Sequence, residues 1–188
     1  MSDARQLSLR LVALGMATVV VQVAAISQLR VFDTNADLTP VVIAAAAFLC
    51  GSLPGAAFGF GVGLFLDLAL VQTVGMSSLL YLTIGFGAGR LRELRDPQAA
   101  VVPIVLGAAA TAVAQMGFSL MQFLLGEPVP LDPALLRQIL LPVLLGGLIA
   151  LPVNAFVRRF LLPALPEDPR RRRRRAYTTG GLSPLSRA

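Results

Sequence analysis

The chain has 188 residues, 56% of them hydrophobic and only 14% charged, with 16 cationic residues against 10 acidic ones. A water-soluble domain of this length cannot solvate itself with so few charges, so the composition points to a membrane protein. Every cation is arginine, histidine and lysine are absent, and Cys50 is the one cysteine, which excludes histidine-based acid–base pairs, thiolate metal clusters, an internal disulfide and a lysine-bearing phosphate loop.

In chain order, a short basic start with Arg5 and Arg10 leads into a first apolar segment over 11–28. At about 1.5 Å per residue it reaches across most of a bilayer core, and with further apolar segments behind it the segment reads as a retained anchor. Residues 30–37 form a polar link. The second span covers 38–53, with Pro40 near its start, where a missing N–H costs least. After a tight turn at Pro54 and Gly55 comes the third span, 55–71, then the turn 72–77 and a short fourth span, 77–89, which ends at Arg90, Arg92, Glu93, Arg95 and Asp96.

The fifth span covers 99–125, with Pro103 near its entry. A proline-rich loop with two acids follows at 126–133, and the sixth span, 134–160, contains Pro142 and Pro152. A basic tail occupies 163–188. The expected fold is an all-α, six-span polytopic membrane domain over 1–162. With both termini in the cytoplasm, fourteen of the 16 arginines fall on that side, and only Arg30 and Arg137 lie outside.

The third span carries the sharpest pattern. Gly55, Gly59 and Gly63 are spaced by four, and Asp67 is the next step of the same series. On a helix these share one face, and a glycine stripe lets another backbone approach closely in lipid. The stripe therefore reads as the docking face for a partner helix. Asp67 reads as a buried polar contact on that face or as a helix-end carboxylate reaching headgroup water. If buried, it is either neutralised by Arg30 or Arg137 or protonated, because a charge deep in a bilayer costs about 2.5–3.5 kcal/mol.

Gly107, Thr111, Gln115 and Ser119 repeat the four-residue spacing in the fifth span, and Gly147, Ala150 and Asn154 form a polar or small face in the sixth. These residues read as internal packing, with a polar cavity for a small ligand as the alternative. In the tail, Arg170, Arg171, Arg172, Arg173, Arg174 and Arg175 can hold anionic headgroups, touch a cytoplasmic partner or fix the orientation of the last helix. With no aromatic-studded groove beside them, nucleic acid is not an expected partner.

The run from Thr39 to Arg92 resembles the rod shape-determining membrane protein MreD family. The resemblance rests on Pro40, on a glycine-rich helix holding Asp67, on a short turn with Gly75, and on a helix closing at Gly89, Arg90 and Leu91. The arginine tail departs from that pattern. The resemblance implies a non-enzymatic scaffold of the bacterial cell-elongation, peptidoglycan-synthesising machinery, resident in the cytoplasmic membrane and using no cofactor. It implies binding to the transmembrane helix of MreC, alongside RodA, a class B penicillin-binding transpeptidase and MreB, with a homodimer also admissible. It further implies a fold similar to the substrate-binding subunits of energy-coupling-factor transporters. A small-molecule-binding subunit of a transporter is the rival function.

Overall fold

The computed structural model describes residues 2–28, 37–71, 73–94, 101–126 and 133–164. Among them are six α-helices and no strand: α1 (Ser2–Gln28), α2 (Thr39–Cys50), α3 (Ser52–Ala69), α4 (Met76–Leu94), α5 (Val101–Leu124) and α6 (Pro133–Leu161), with a 3-10 turn at Leu162–Ala164. The basic start does not precede the first helix but belongs to it, and the fourth helix runs past its apolar part to include Arg90 and Arg92.

The fold is built around its shortest helix. All residues of α2 from Thr39 to Phe48 are buried, and α2 touches each of the other five helices. A helix that is apolar all round finds its lowest free energy with no face exposed. At twelve residues it is about 18 Å long, well short of a bilayer core of about 30 Å. Small side chains at Ala44 to Ala47 let its neighbours come close.

Gly51 alone separates α2 from α3. Its φ of 101° lies in the left-handed region, which glycine enters without a Cβ penalty, and the chain there reverses direction. The next helices, α3 and α4, form an antiparallel hairpin that is the most extensive helix pair in the molecule. Two reversals leave α4 running parallel to α2. Contacts at both ends agree: Tyr81 near the start of α4 meets Asp37 just before α2, and Arg92 near the end of α4 meets Leu49 near the end of α2.

Among the described residues, four helices contain stretches long and apolar enough to cross a membrane: Arg5–Ala24, Ser52–Ala69, Val101–Leu124 and Leu140–Leu161. Their outward faces carry large apolar side chains, among them Val20 (65% exposed), Phe65 (53%), Leu120 (60%) and Leu148 (70%). Soluble monomers rarely expose contiguous apolar surface on this scale. The all-helical fold is thus compatible with a polytopic membrane protein.

Candidate functional site

The glycine series and Asp67, singled out by their spacing, meet in the α3–α4 hairpin, and the partner they find there is the chain itself. A Cβ placed on Gly59 would run into the Tyr81 carbonyl group. One on Gly63 would lie 2.6 Å from Ser78 Cα, and one on Gly55 would lie 2.8 Å from the Gly85 carbonyl oxygen and 2.9 Å from Ala47 Cα. From the other side, a Cβ on Gly85 would strike the Gly55 carbonyl, and one on Gly89 would strike Gly51 and Ser52. Two glycine series, 55–59–63 and 85–89, thus bring two backbones into contact. The expectation that Gly55, Gly59 and Gly63 dock a separate partner helix is corrected: α4, with α2 at one end, fills that face.

Asp67 closes the same interface. It is fully buried, and its Oδ2 accepts the Gly75 N–H at 2.8 Å and the Ser78 hydroxyl at 3.3 Å, while Oδ1 accepts the Ser77 N–H at 3.3 Å. Gly75 and Ser77 flank the first residue of α4, where the leading N–H groups lack intrahelical partners and the helix dipole is positive. The carboxyl group supplied by α3 therefore caps α4. Gly75 holds φ at 102°, the conformation in which its N–H reaches back to Asp67.

Asp67 is satisfied by backbone and hydroxyl donors of its own hairpin. Arg30 lies outside the described residues, and of Arg137 only the helix backbone is described.

A second polar cluster, not anticipated as a site, sits at the same end of the bundle. Asp37 Oδ1 accepts the Thr39 N–H at 3.1 Å, and its Oδ2 accepts the Tyr81 hydroxyl at 2.8 Å. Buried Gln22 of α1 accepts the Leu38 N–H at 3.1 Å. Together these tie α1 and α4 to the start of α2. Loss of water around Asp37 pushes its carboxyl above the usual carboxylate range, opposed by the hydrogen bonds from Tyr81 and Thr39. The Tyr81 ring is itself buried and meets Phe118 of α5 edge-on, with centroids 6.1 Å apart. An Asp two residues before the first helical N–H is a start signal present in the sequence, Asp37-Leu38-Thr39-Pro40, and it could have located this cluster.

At the opposite end, arginines meet helix C-termini. Arg92 of α4 donates through Nη1 to the Leu49 carbonyl, next to the last residue of α2. Arg10 of α1 donates through Nη1 to the Phe160 carbonyl of α6 at 2.8 Å. Terminal carbonyls lack intrahelical donors and carry the negative end of the dipole, so a guanidinium satisfies both deficits. The bundle thus has an acidic cap at one end of its parallel helix pair and a basic cap at the other.

The interior polar residues are shared out differently. Thr111 is buried, and its hydroxyl donates to the Gly107 carbonyl of its own helix at 2.9 Å. The glycine that accommodates it is Gly146, where an added Cβ would strike Thr111 Oγ1; the expected Gly147 has ordinary room, its nearest neighbour 3.4 Å from an added Cβ. Gln115 and Asn154 are half-buried. Asn154 borders a cleft lined also by Val41, Ala44, Gly107 and Ala150, with a volume of ≈ 10 Å³. That is about the room one water needs, and a metabolite does not fit there. The arginines from Arg170 to Arg175 lie outside the described residues.

Comparison of the chain with protein-family models, with curated proteins and with solved structures gave no match.

Proposed function

We propose that this chain is a non-catalytic membrane scaffold similar to MreD, a part of the bacterial cell-elongation machinery that holds the transmembrane helix of MreC. The observation that carries the reading is the internal closure of the segment from Thr39 to Arg92, the segment that bears the resemblance. Its chemistry-bearing groups serve the fold: Asp67 caps α4, Tyr81 ties α4 to Asp37, and Arg92 caps α2. A unit built this way supplies a rigid platform, and its outward apolar faces offer contact area to a helix in lipid.

In this reading the chain crosses the bacterial cytoplasmic membrane six times with both termini inside. The short α2 is sheltered by its neighbours, and the Arg92 end faces the cytoplasm. Arginines at that end satisfy the positive-inside bias and the helix dipoles together. RodA, a class B penicillin-binding transpeptidase and MreB belong to the wider assembly, and a fold similar to energy-coupling-factor substrate-binding subunits accompanies the proposal. The docking surface is an outward face, because the glycine face is filled.

Cysteine crosslinking tests this in cells, on a Cys50→Ser background carrying single cysteines and a tagged MreC. Crosslinks to MreC at one contiguous set of exposed positions, such as Phe65 and Leu68 or Val113 and Leu120, are expected. Gly59→Cys is expected to give none. If no exposed position crosslinks and the two proteins do not co-purify, the scaffold reading is wrong.

A further inference from the structure

We infer that the junction of α1 and α6 at the arginine end of the bundle is a binding site for the headgroup of one anionic phospholipid; this rests on the membrane reading above. The site begins with Arg10. Its guanidinium is held in place by the Phe160 carbonyl at 2.8 Å and lies 6.0 Å from the centre of the Phe160 ring. A guanidinium has five N–H donors, and the carbonyl contact leaves others to face outward.

Phe160 stacks on Phe156, with centroids 6.5 Å apart and rings 8° from parallel, and the pair is exposed (Phe156 65%, Phe160 37%). Along α6, Val157 and Leu161 point into the core. Arg159 stands three residues after Phe156 and one before Phe160, and it is exposed, as are Arg158 on the same turn and Arg5 on α1. Helical spacing sets Arg159 on the flank of the aromatic face, opposite the buried Val157 and Leu161. Leu9, 69% exposed, extends the apolar surface onto α1.

Two requirements therefore meet at one place. Arg10 is fixed on Phe160 and Arg159 is the residue before it, so a phosphate at this helix junction gains charge-assisted, geometrically directed hydrogen bonds from guanidinium groups. Directly beside it, an aromatic ledge runs along the helix axis in the direction acyl chains take. The acidic side chains among the described residues, Asp37 and Asp67, are engaged at the opposite end of the bundle. A free phosphate would use the cations and leave the ledge bare, whereas an anionic phospholipid uses both. Basic pockets between helix ends on the cytoplasmic side are a known form of headgroup site.

The test uses the full chain in nanodiscs of phosphatidylglycerol and phosphatidylcholine, followed by release into detergent and native mass spectrometry of retained lipid. Wild type is expected to keep phosphatidylglycerol in preference to phosphatidylcholine. Arg159→Gln should lower that retention roughly fivefold, as expected for an arginine near an anionic surface, whereas Arg158→Gln, on the side of α6 away from Phe156 and Phe160, should lower it less. Both residues are exposed, and an unchanged thermal transition checks that the variants fold. Replacing Arg170 through Arg175 by glutamine should leave the retained lipid unchanged. Loss in the tail variant but not in Arg159→Gln overturns the site, as does equal retention of the two lipids by wild type. Binding of inorganic phosphate that depends on Arg159 and excludes phosphatidylglycerol overturns the lipid assignment. A chain that fails to float with liposomes overturns the membrane reading itself, an outcome distinct from floating without lipid preference.

Discussion

The Cα of Gly59 lies against the carbonyl of Tyr81, with no room for a methyl group between two helix backbones. Overpacking a well-filled core costs about 1–3 kcal/mol, and more where the obstacle is backbone. Gly59→Ala is therefore expected to lose about 3 kcal/mol or more in reversible unfolding in detergent. Gly61, two residues away, meets nothing within 4 Å, so Gly61→Ala should be neutral or gain up to about 1 kcal/mol from helix propensity. Equal losses at the two positions would show that the tight face is not where α3 and α4 meet.

The Asp67 cap makes a graded prediction. Asp67→Asn keeps one acceptor oxygen but turns an NH2 group toward donors, so one or two N–H or hydroxyl groups lose their partner. Leaving a buried donor unsatisfied costs about 1–3 kcal/mol, and Asp67→Ala should cost more than Asp67→Asn because it strips all three. The loss should appear first as faster amide exchange at Gly75, Ser77 and Ser78, because these residues start α4. Unchanged exchange there in Asp67→Ala would remove the cap from the account.

Much of this was legible in the sequence, in an uneven way. The period-four spacing of Gly55, Gly59, Gly63 and Asp67 identified a face that makes close protein contact, because helical spacing fixes which residues share a face. It could not identify the partner. A backbone-contact stripe looks the same whether the second helix comes from the same chain or another, and here the matching series at Gly85 and Gly89 lay only a turn away. The donors that hold Asp67 are equally hidden from the composition. Counting charges finds arginines, but a helix N-terminus supplies positive potential through backbone N–H groups that no composition records. Arg92 was visible as a topology signal, and its contact with the Leu49 carbonyl depends on α4 running parallel to α2, which only the tertiary fold decides.

The left-handed turn residue Val71 offers a stabilising test. It is 91% exposed and holds φ at 52°, a conformation costly for a β-branched side chain, and no burial offsets that cost. Val71→Gly should raise stability by about 1 kcal/mol, seen as a higher unfolding midpoint without a change in slope. A fall in the midpoint would mean that the side chain is held by contacts that outweigh the strain.

Asp37 gives the molecule a pH dependence with a defined sign. Burial raises its carboxyl pKa above the ordinary 3.8, so between 3.8 and the raised value the folded chain binds more protons than the unfolded one. Stability from this group is therefore fully present below 3.8 and is lost as pH rises through the folded pKa. Asp37→Asn, which keeps an acceptor for the Tyr81 hydroxyl, should flatten the midpoint-versus-pH curve above pH 3.8 relative to wild type. An identical slope in the variant would assign the pH dependence elsewhere.

Two arginines two residues apart separate a structural role from a surface one. Arg92 is half-buried and donates to the Leu49 carbonyl of the central helix, whereas exposed Arg90 lies only over the Phe86 ring, 5.9 Å from its centre. Removing Arg92 leaves a terminal carbonyl of α2 without its donor and frees the end of the helix that every other helix touches. Arg92→Ala should therefore cost about 1–3 kcal/mol, while Arg90→Ala should cost under about 1 kcal/mol, the range for an exposed cation on an aromatic face. Arg92→Lys should recover only part of the loss, because a lysine offers one compact charge in place of a planar fork. Matching losses at both positions would mean that bulk positive charge, and not the bond to Leu49, is what the helix end needs.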